Sequence, residues 1–150
     1  MPQSLSEILL HVVFSTKDRA QIIPKDLQPP LHAFLAGICR TAGCEALRVG
    51  GVSDHVHLAV RHSRTVTVAT LIEDLKTTSS KWIKTQATGL NEFHWQRGYG
   101  AFSIGRSQLP ALIHYIDAQP EHHRTKTFQE EYRTLLQRYA IAFDERYVWD

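Results

Sequence analysis

Two histidines stand one residue apart in the stretch Asp54-His55-Val56-His57-Leu58. Side chains alternate between the two faces of a β-strand, so His55 and His57 share one face, roughly 6–7 Å apart at about 3.3 Å rise per residue. Val56 and Leu58 point to the other face and supply a hydrophobic stripe. Two imidazoles on the polar face of an apolar strand can hold one divalent ion. The spacing is also compatible with a half-buried strand that carries two histidines and no metal.

A tyrosine and a glutamine form a second candidate pair, at Tyr115 and Gln119. A spacing of four places both side chains on one face of a helix. A tyrosine hydroxyl can act as a covalent nucleophile, and a glutamine carbonyl can be a hard-ion ligand beside two imidazoles. Pro120 disfavours helical geometry at the residue before it, so the aim of the Gln119 carbonyl is less determined. Without the histidine pair, Tyr115 would be interpreted as a tyrosine at the edge of the core.

Strands and helices alternate along the chain. Hydrophobic alternation with β-branched and aromatic content predicts strands at residues 7–16, 45–52, 54–60 and 93–105. Apolar residues at three- and four-residue spacing predict helices within residues 24–41, 66–87, 107–119 and 127–139. We place the start of the first helix near Pro30, and we expect Thr67, Ser107 and Thr127 to be N-caps of the others. Residues 144–150 are either a tail or a docking strand.

The order β-α-β-β-α-β, followed by further helices, matches a ferredoxin-like (RRM-like) split βαβ fold. The predicted class is α+β, with one domain over residues 1–150. The first and third strands lie in the middle of an antiparallel sheet, and both crossover helices cover one face. Val56, Leu58 and Val60 then face these helices, while His55 and His57 face the open side. The additional C-terminal helices carry the tyrosine.

The composition is that of an ordinary globular domain, with 150 residues, 43% hydrophobic and 21% charged. No apolar run approaches the ~20 residues of a membrane span, and the start of the chain lacks the regions of a signal peptide. We therefore expect a cytoplasmic protein with no membrane partner. A net charge of +2 argues against a strongly basic nucleic-acid binder. Cys39 and Cys44 fit neither a zinc knuckle nor a disulfide scaffold, so we interpret both as ordinary thiols.

Three segments together resemble a known family. D-H-V-H-L at residues 54–58, W-Q-R-G-Y-G-A-F-S at residues 95–103 and Y-I-D-A-Q-P-E-H-H at residues 115–123 occur in that order. They are similar to the central strand, the W-Q-x-G-Y-x-x-F-S segment and the Y-I-x-x-Q-x-x-H-H pattern of single-tyrosine HUH transposases. These are transposases of the insertion-sequence 200/605 type, and they include those of REP-associated elements. The resemblance covers nearly the whole chain.

The resemblance implies an enzyme that cleaves and rejoins single-stranded DNA with a hairpin at element ends. Tyr115 would be the nucleophile that leaves a 5′-phosphotyrosine and a free 3′-OH, without ATP. His55, His57 and Gln119 would hold Mg²⁺ or Mn²⁺. The resemblance also implies a homodimer, in which the tyrosine helix of one subunit can complete the site of the other. The C-terminal helices carry more apolar residues than the helical face of the sheet needs, which is consistent with a partner surface.

The middle third of the chain concentrates cations, which can form a basic patch or a solvated face of mixed charge. Candidates for phosphate contact are Arg61, Arg64, Lys81, Lys84, Arg97 and Arg106. Aromatic residues that can stack on bases are Trp95, Tyr99 and Phe102, although each is more typical of a core. The sequence indicates no base for Tyr115. His114, His122 and His123 lie near it in sequence, and we interpret them as surface residues.

Other classes of function remain open. Ferredoxin-like sheets also bind RNA through aromatics on the open face, but the RNP1 pattern is absent and histidines stand at those positions. A metal-dependent phosphoesterase would use water and would not need Tyr115. A domesticated REP-associated endonuclease would nick DNA without mobilising an element. Replacing Tyr115 by phenylalanine separates the first two from the tyrosine enzymes, because only tyrosine chemistry forms a covalent adduct with DNA.

Overall fold

A single four-stranded antiparallel sheet organises the computed structural model, which describes residues 2–150 and leaves Met1 outside. The strands are β1 (Leu9–Ser15), β2 (Glu45–Gly51), β3 (His55–Arg61) and β4 (Gly100–Ile104). Their spatial order is β2-β3-β1-β4, so the first and third strands are central, as predicted. Helix α1 (Gln28–Thr41) connects β1 to β2, and α2 (Val68–Lys84) connects β3 to β4. This is the split βαβ arrangement of ferredoxin-like folds, and the predicted fold class is confirmed.

The first face of the sheet packs against α1 and α2 and forms the main core. Side chains from alternate positions of the two central strands enter it because a strand presents every second residue to one face. They are Leu10, Val12 and Phe14 from β1 and Val56, Leu58 and Val60 from β3, all buried. Cys39 and Cys44 are buried free thiols in the same core.

The second face was predicted to be open, but helices that follow β4 cover it. These helices are α3 (Leu109–Asp117), the short α4 (Gln119–His122) and α5 (Phe128–Arg138). Leu112 and Ile116 of α3 pack against Ala59 of β3. In α5, an apolar stripe packs against Val13 and Phe102; the stripe consists of Phe128, Tyr132, Leu135 and Leu136. The apolar residues that we assigned to a partner surface therefore cover the sheet of their own chain.

Helix starts agree with the sequence at two of the three predicted caps. The Thr67 hydroxyl accepts the N–H of Thr70 at 3.0 Å at the start of α2, and the Thr127 hydroxyl accepts the N–H of Glu130 at 3.2 Å at the start of α5. The prediction for Ser107 is wrong. The Gln108 side chain accepts the N–H of Gly105 at 2.7 Å instead, and a 3₁₀ turn precedes α3.

Three boundaries differ from the prediction. Helix α1 starts at Gln28, two residues before Pro30, because proline is tolerated in the first turn, where the N–H groups have no helical acceptor. The last strand pairs only over Gly100–Ile104. Upstream of it, Trp95 makes an isolated bridge with Thr16, and the Trp95 ring turns into the core. The C-terminal segment docks without forming a strand: the Asp150 carbonyl accepts the N–H of Gly98 at 2.9 Å.

Candidate metal and tyrosine site

His55 and His57 lie side by side on the second face of the sheet, with their ring centroids 5.0 Å apart. Neither has any exposed surface, because α3–α5 cover them. Asp54, just before the strand, holds the first ring: its Oδ1 lies 2.6 Å from Nδ1 of His55. The Nδ1 atom is directed at this carboxylate, and Nε2 of His55 faces the helices.

Gln119, which the resemblance implies as a metal ligand, lies beside the histidine pair. Its Oε1 lies 2.9 Å from Nε2 of His55, and the side chain is fully buried. Helix α3 ends at Asp117, so Tyr115 and Gln119 do not share one continuous helix. Pro120 occupies the first turn of α4, where proline fits, and it does not divert the amide.

Glu131 lies at the centre of the site, and the sequence reasoning missed it. Its side chain is 2% exposed, and Oε1 lies 3.0 Å from Nε2 of His57. Its Oε2 accepts hydrogen bonds from the Tyr115 hydroxyl and, at 3.1 Å, from Nε2 of Gln119. One carboxylate therefore contacts both the tyrosine and the histidine strand. A signal existed in the sequence, because Glu131 interrupts the apolar stripe of α5 three residues after Phe128.

The two histidines after α4 also point into the site. The side chain of His123 is 8% exposed, so its interpretation as a surface residue is wrong. Its Nδ1–H donates to the Lys126 carbonyl at 2.7 Å, which turns Nε2 toward Oε2 of Glu131 at 3.2 Å. The two atoms are close but not aligned, so this buried Nε2 makes no hydrogen bond. His122, 30% exposed, lies 3.3 Å from the same oxygen, whereas His114 is exposed.

His11 on the neighbouring strand β1 is a further buried histidine that the sequence did not single out. Its Nε2 lies 2.7 Å from Nδ1 of His57, and its side chain faces the same side because of its register on the sheet. Burial, with the nearby His57 ring, lowers the pKa of His11 to about 3. It is therefore a neutral partner that orients His57.

Burial and the central carboxylate set the charges of the site. Burial lowers the pKa of His57 to about 4, so this ring is neutral near pH 7. Burial and the charge of Glu131 raise the pKa of Tyr115 above its ordinary value, so the phenol keeps its proton. For Glu131 itself, burial acts to raise the pKa, but His123 and His57 outweigh it and hold the pKa well below its usual range. The chain thus keeps one buried carboxylate ionised.

The donor atoms at this centre have the composition of a divalent metal site. One donor atom from each of His55, His57, His123 and Glu131 lies within 4.8 Å of the others. Metal-bound histidines typically donate their second ring N–H to a carboxylate or a backbone carbonyl. His55 does so to Asp54, and His123 does so to Lys126. The buried Nε2 of His123 has no hydrogen-bond partner, which fits a cation-binding role better than membership of a complete hydrogen-bond network.

A cavity of ≈490 Å³ opens beside the tyrosine, on the side away from His123. Its polar lining includes His11, Ser107, Gln108, Tyr115 and Arg138. Arg138 is exposed and is a cation that the sequence reasoning did not select. A backbone phosphate that enters this cavity would meet the tyrosine and a guanidinium together.

The predicted phosphate-binding residues do not gather around this cavity. Lys81 and Lys84 lie on α2, which packs against the first face of the sheet, so the sheet separates them from Tyr115. Arg61 and Arg106 are both paired with Glu7, at 3.6 and 2.6 Å. Arg64 and Arg97 are exposed.

The predicted stacking residues differ in their access to solvent. Trp95 is 8% exposed and donates its indole N–H to Ser79 at 2.9 Å within the core. Phe102 is also buried, at 2% exposure. Tyr99 is 38% exposed, with the Lys76 ammonium 5.7 Å from its ring centroid. Of the three, only Tyr99 has a ring that is substantially exposed to solvent.

The described residues contain no helix that combines the length and the apolarity required to cross a membrane.

Comparison with known families identifies the family of this chain. The family described as "Transposase IS200 like" matches residues 4–119. The chain belongs to the IS200-like transposase family. The predicted family is therefore confirmed, and the histidine strand of this transposase is its HUH motif. No curated protein matches the chain significantly.

Two solved structures share the fold of this transposase. One is a putative transposase from Deinococcus radiodurans R1, with a TM-score of 0.59 and 19% identity over 79% of this chain and 98% of the other. The second is a REP-associated tyrosine transposase bound to a REP hairpin, with a TM-score of 0.60 and 13% identity over 82% of this chain and 72% of the other. At these identities the likeness establishes the common fold.

Proposed function

We propose that this transposase cleaves and rejoins single-stranded DNA through a covalent 5′-phosphotyrosine at Tyr115. The observation that supports it most is the convergence of sequence-distant groups on Glu131. Its Oε2 accepts the Tyr115 hydroxyl, while its Oε1 lies 3.0 Å from Nε2 of His57. A nucleophile and an ion-binding pair within one cluster are what phosphodiester transfer needs.

In the proposed reaction, the Tyr115 oxygen attacks a backbone phosphorus and the bond to the 3′ oxygen breaks. The phosphate remains on the tyrosine as a phosphodiester, and the 3′ oxygen leaves with a proton as a free 3′-OH. Attack by a second 3′-OH reverses the steps at a new junction, so the bond energy is kept and no ATP is consumed. A Mg²⁺ or Mn²⁺ ion held by His55, His57 and Gln119 would neutralise charge on the phosphate oxygens.

The residues around the tyrosine have separate roles in this proposal. Glu131 orients the phenol through its hydrogen bond, and its low pKa keeps it ionised but makes it a weak base. Arg138 lines the cavity beside Tyr115 and would contact the incoming phosphate. On the other side of the site, Lys126 and His123 line an opening of ≈430 Å³ that can take the flanking strand.

We propose DNA hairpins at element ends as the substrate. Support comes from the REP-associated transposase, whose structure contains a REP hairpin. The homodimer stays a prediction from the family resemblance. The tyrosine helix packs against its own sheet, so every residue of the proposed site is present within one chain.

The test is an adduct assay with labelled single-stranded oligonucleotides that carry candidate end hairpins. With Mn²⁺, we expect a protein–DNA band that survives denaturation and disappears in Tyr115→Phe or with EDTA. Tyr147→Phe is the matched control, because Tyr147 is 64% exposed and remote from the histidines, and it should form the adduct like the wild type.

Two results would contradict the proposal. Metal-dependent cutting that leaves no adduct and is unchanged in Tyr115→Phe identifies a hydrolase that uses water. An adduct that persists in Tyr115→Phe shows that another side chain is the nucleophile.

A further inference from the structure

The atoms around Glu131 cannot all be satisfied as a hydrogen-bond network. Six side chains place a nitrogen or oxygen next to its carboxylate: His55, His57, Tyr115, Gln119, His122 and His123. A carboxylate offers about four lone-pair sites. The surplus indicates that some of these neighbours are not hydrogen-bonded to the carboxylate.

The second ring nitrogens identify which neighbours these are. Nδ1 of His55 lies 2.6 Å from Oδ1 of Asp54, and its Nε2 faces Oε1 of Glu131 at 3.4 Å and Oε1 of Gln119 at 2.9 Å. His123 gives its Nδ1 proton to the Lys126 carbonyl, and its Nε2 has no hydrogen-bond partner. The Gln119 amide cannot relieve this by flipping, because its Nε2 already donates to Glu131 at 3.1 Å.

Three imidazole nitrogens and a carboxylate oxygen that converge in a buried cluster are a suitable ligand set for a divalent cation placed between them. An ion bound at about 2.1 Å keeps its donor atoms within roughly 4.3 Å of one another. The observed limit of 4.8 Å requires only small side-chain shifts to reach that distance.

Resting on the proposed function, we propose that His123 and Glu131 are themselves ligands of the divalent ion, beside His55 and His57, and that this imidazole-rich set selects Mn²⁺ over Mg²⁺. Imidazole suits later transition ions, whereas Mg²⁺ prefers an all-oxygen shell with several waters. Glu131 then joins the ion to the nucleophile, because its Oε2 also accepts the Tyr115 hydroxyl. Gln119 remains within reach as an oxygen ligand.

Equilibrium binding of Mn²⁺ to the full chain tests this without DNA. After dialysis against EDTA and removal of the chelator, free Mn²⁺ is followed by its electron paramagnetic resonance signal during titration. We expect Glu131→Gln and His123→Asn each to weaken Mn²⁺ binding at least about tenfold. Loss of a residue that only hydrogen-bonds to a metal ligand already has an effect of about this size. Mg²⁺ should displace Mn²⁺ only at a large excess.

Matched controls separate loss of a ligand from loss of a charge or a ring. Glu130→Gln removes the neighbouring carboxylate on the exposed side of α5, and His114→Asn removes an exposed histidine on α3. Both should bind Mn²⁺ within about twofold of the wild type. Cooperative thermal unfolding in EDTA verifies that each variant is folded.

A spectroscopic readout on the wild type keeps the test decisive even if a variant fails to fold. Electron spin-echo envelope modulation of bound Mn²⁺ counts coordinated imidazole nitrogens. Three imidazoles support the proposal, and His123→Asn should reduce the count to two. Two imidazoles in the wild type, or wild-type affinity in both Glu131→Gln and His123→Asn, would overturn it.

The outcome is independent of the adduct assay. If Mn²⁺ binds through three imidazoles but no adduct forms, the proposed strand transfer fails while the ligand assignment stands. If the adduct forms but the ion uses only two imidazoles, the strand transfer stands and the ligand assignment fails.

Discussion

At the residue scale, this transposase buries histidine nitrogens both inside the candidate site and away from it. Within the site, His11 contacts His57 and His55 contacts Asp54, whereas Nε2 of His123 has no hydrogen-bond partner. His32 on α1 lies away from the site, and its buried Nε2 has no hydrogen-bond partner. Burial lowers the pKa of His32 to about 4, which makes it an acid-sensitive position without a role in the proposed chemistry.

The stability of the chain should depend on pH through His32. Its folded pKa of about 4 lies below the ordinary histidine value of 6.5, so the unfolded chain binds more protons between these two values. The free energy of unfolding therefore falls as the pH decreases from 6.5 toward 4. Compared with His32→Leu, the wild type should lose about 1–2 kcal/mol more between pH 7 and pH 5.

Urea unfolding of both proteins in EDTA at the two pH values measures the difference. His94→Leu is the control, because His94 is exposed, and it should follow the wild type at both pH values. A His32→Leu protein that loses as much stability as the wild type between pH 7 and pH 5 would exclude this role.

At the element scale, the position of α3 on the edge of the sheet decides where Tyr115 lies. Gly50 of β2 makes this contact possible, since a Cβ there would lie 2.7 Å from Cγ2 and 2.9 Å from the carbonyl oxygen of Ile116. Ile116 follows Tyr115 directly, so α3 cannot move off β2 without moving the nucleophile.

Gly50→Ala should therefore destabilise the chain, whereas Gly37→Ala should stabilise it. Overpacking at Ile116 is expected to cost about 1–3 kcal/mol. A Cβ added at Gly37, inside α1, would meet no heavy atom within 4 Å, so Gly37→Ala should gain up to about 1 kcal/mol from helix propensity. Urea unfolding at pH 7 compares the two variants, and a stabilising Gly50→Ala would show that α3 does not rest on β2.

At the scale of the whole molecule, the sheet separates two layers with different tasks. The layer of α1 and α2 forms the main core with the first face. The layer of α3–α5 covers the second face and completes the candidate site from within the same chain. The residues of the candidate site therefore all come from one chain.

A mixing experiment tests this arrangement. Tyr115→Phe lacks the nucleophile, and His55→Ala lacks a proposed metal ligand, so each alone should form no DNA adduct. If the site is assembled within one chain, their equimolar mixture should also form none. Recovery of adduct in the mixture would show that a tyrosine helix serves the histidines of a second copy. An equimolar mixture of wild type and Tyr115→Phe gives the amount of adduct expected when half of the chains are active, and it serves as the reference.

The sequence alone determined the order of the elements and half of the candidate site. Hydrophobic patterns with a period of two or four residues are local, so they predicted the four strands and placed His55 and His57 on the opposite face from Val56 and Leu58. Residue type at the helix starts predicted the caps at Thr67 and Thr127. The spacing of Tyr115 and Gln119, with the family resemblance, added these two residues as expectations, whereas Glu131 and His123 were missed. Boundaries failed at Ser107 and in residues 93–99, where tertiary contacts replaced the local preference.

Only the tertiary structure decided what surrounds those residues. Glu131 lies 74 residues after His57 in the chain, and His123 lies 68 residues after His55. No local pattern relates groups that far apart; they meet because the apolar stripe of α5 and the contacts of α3 require the second face of the sheet. Burial under those helices lowers the pKa of His11 and His57 and helps to keep the Tyr115 phenol protonated, while His123 and His57 hold the pKa of Glu131 below its usual range.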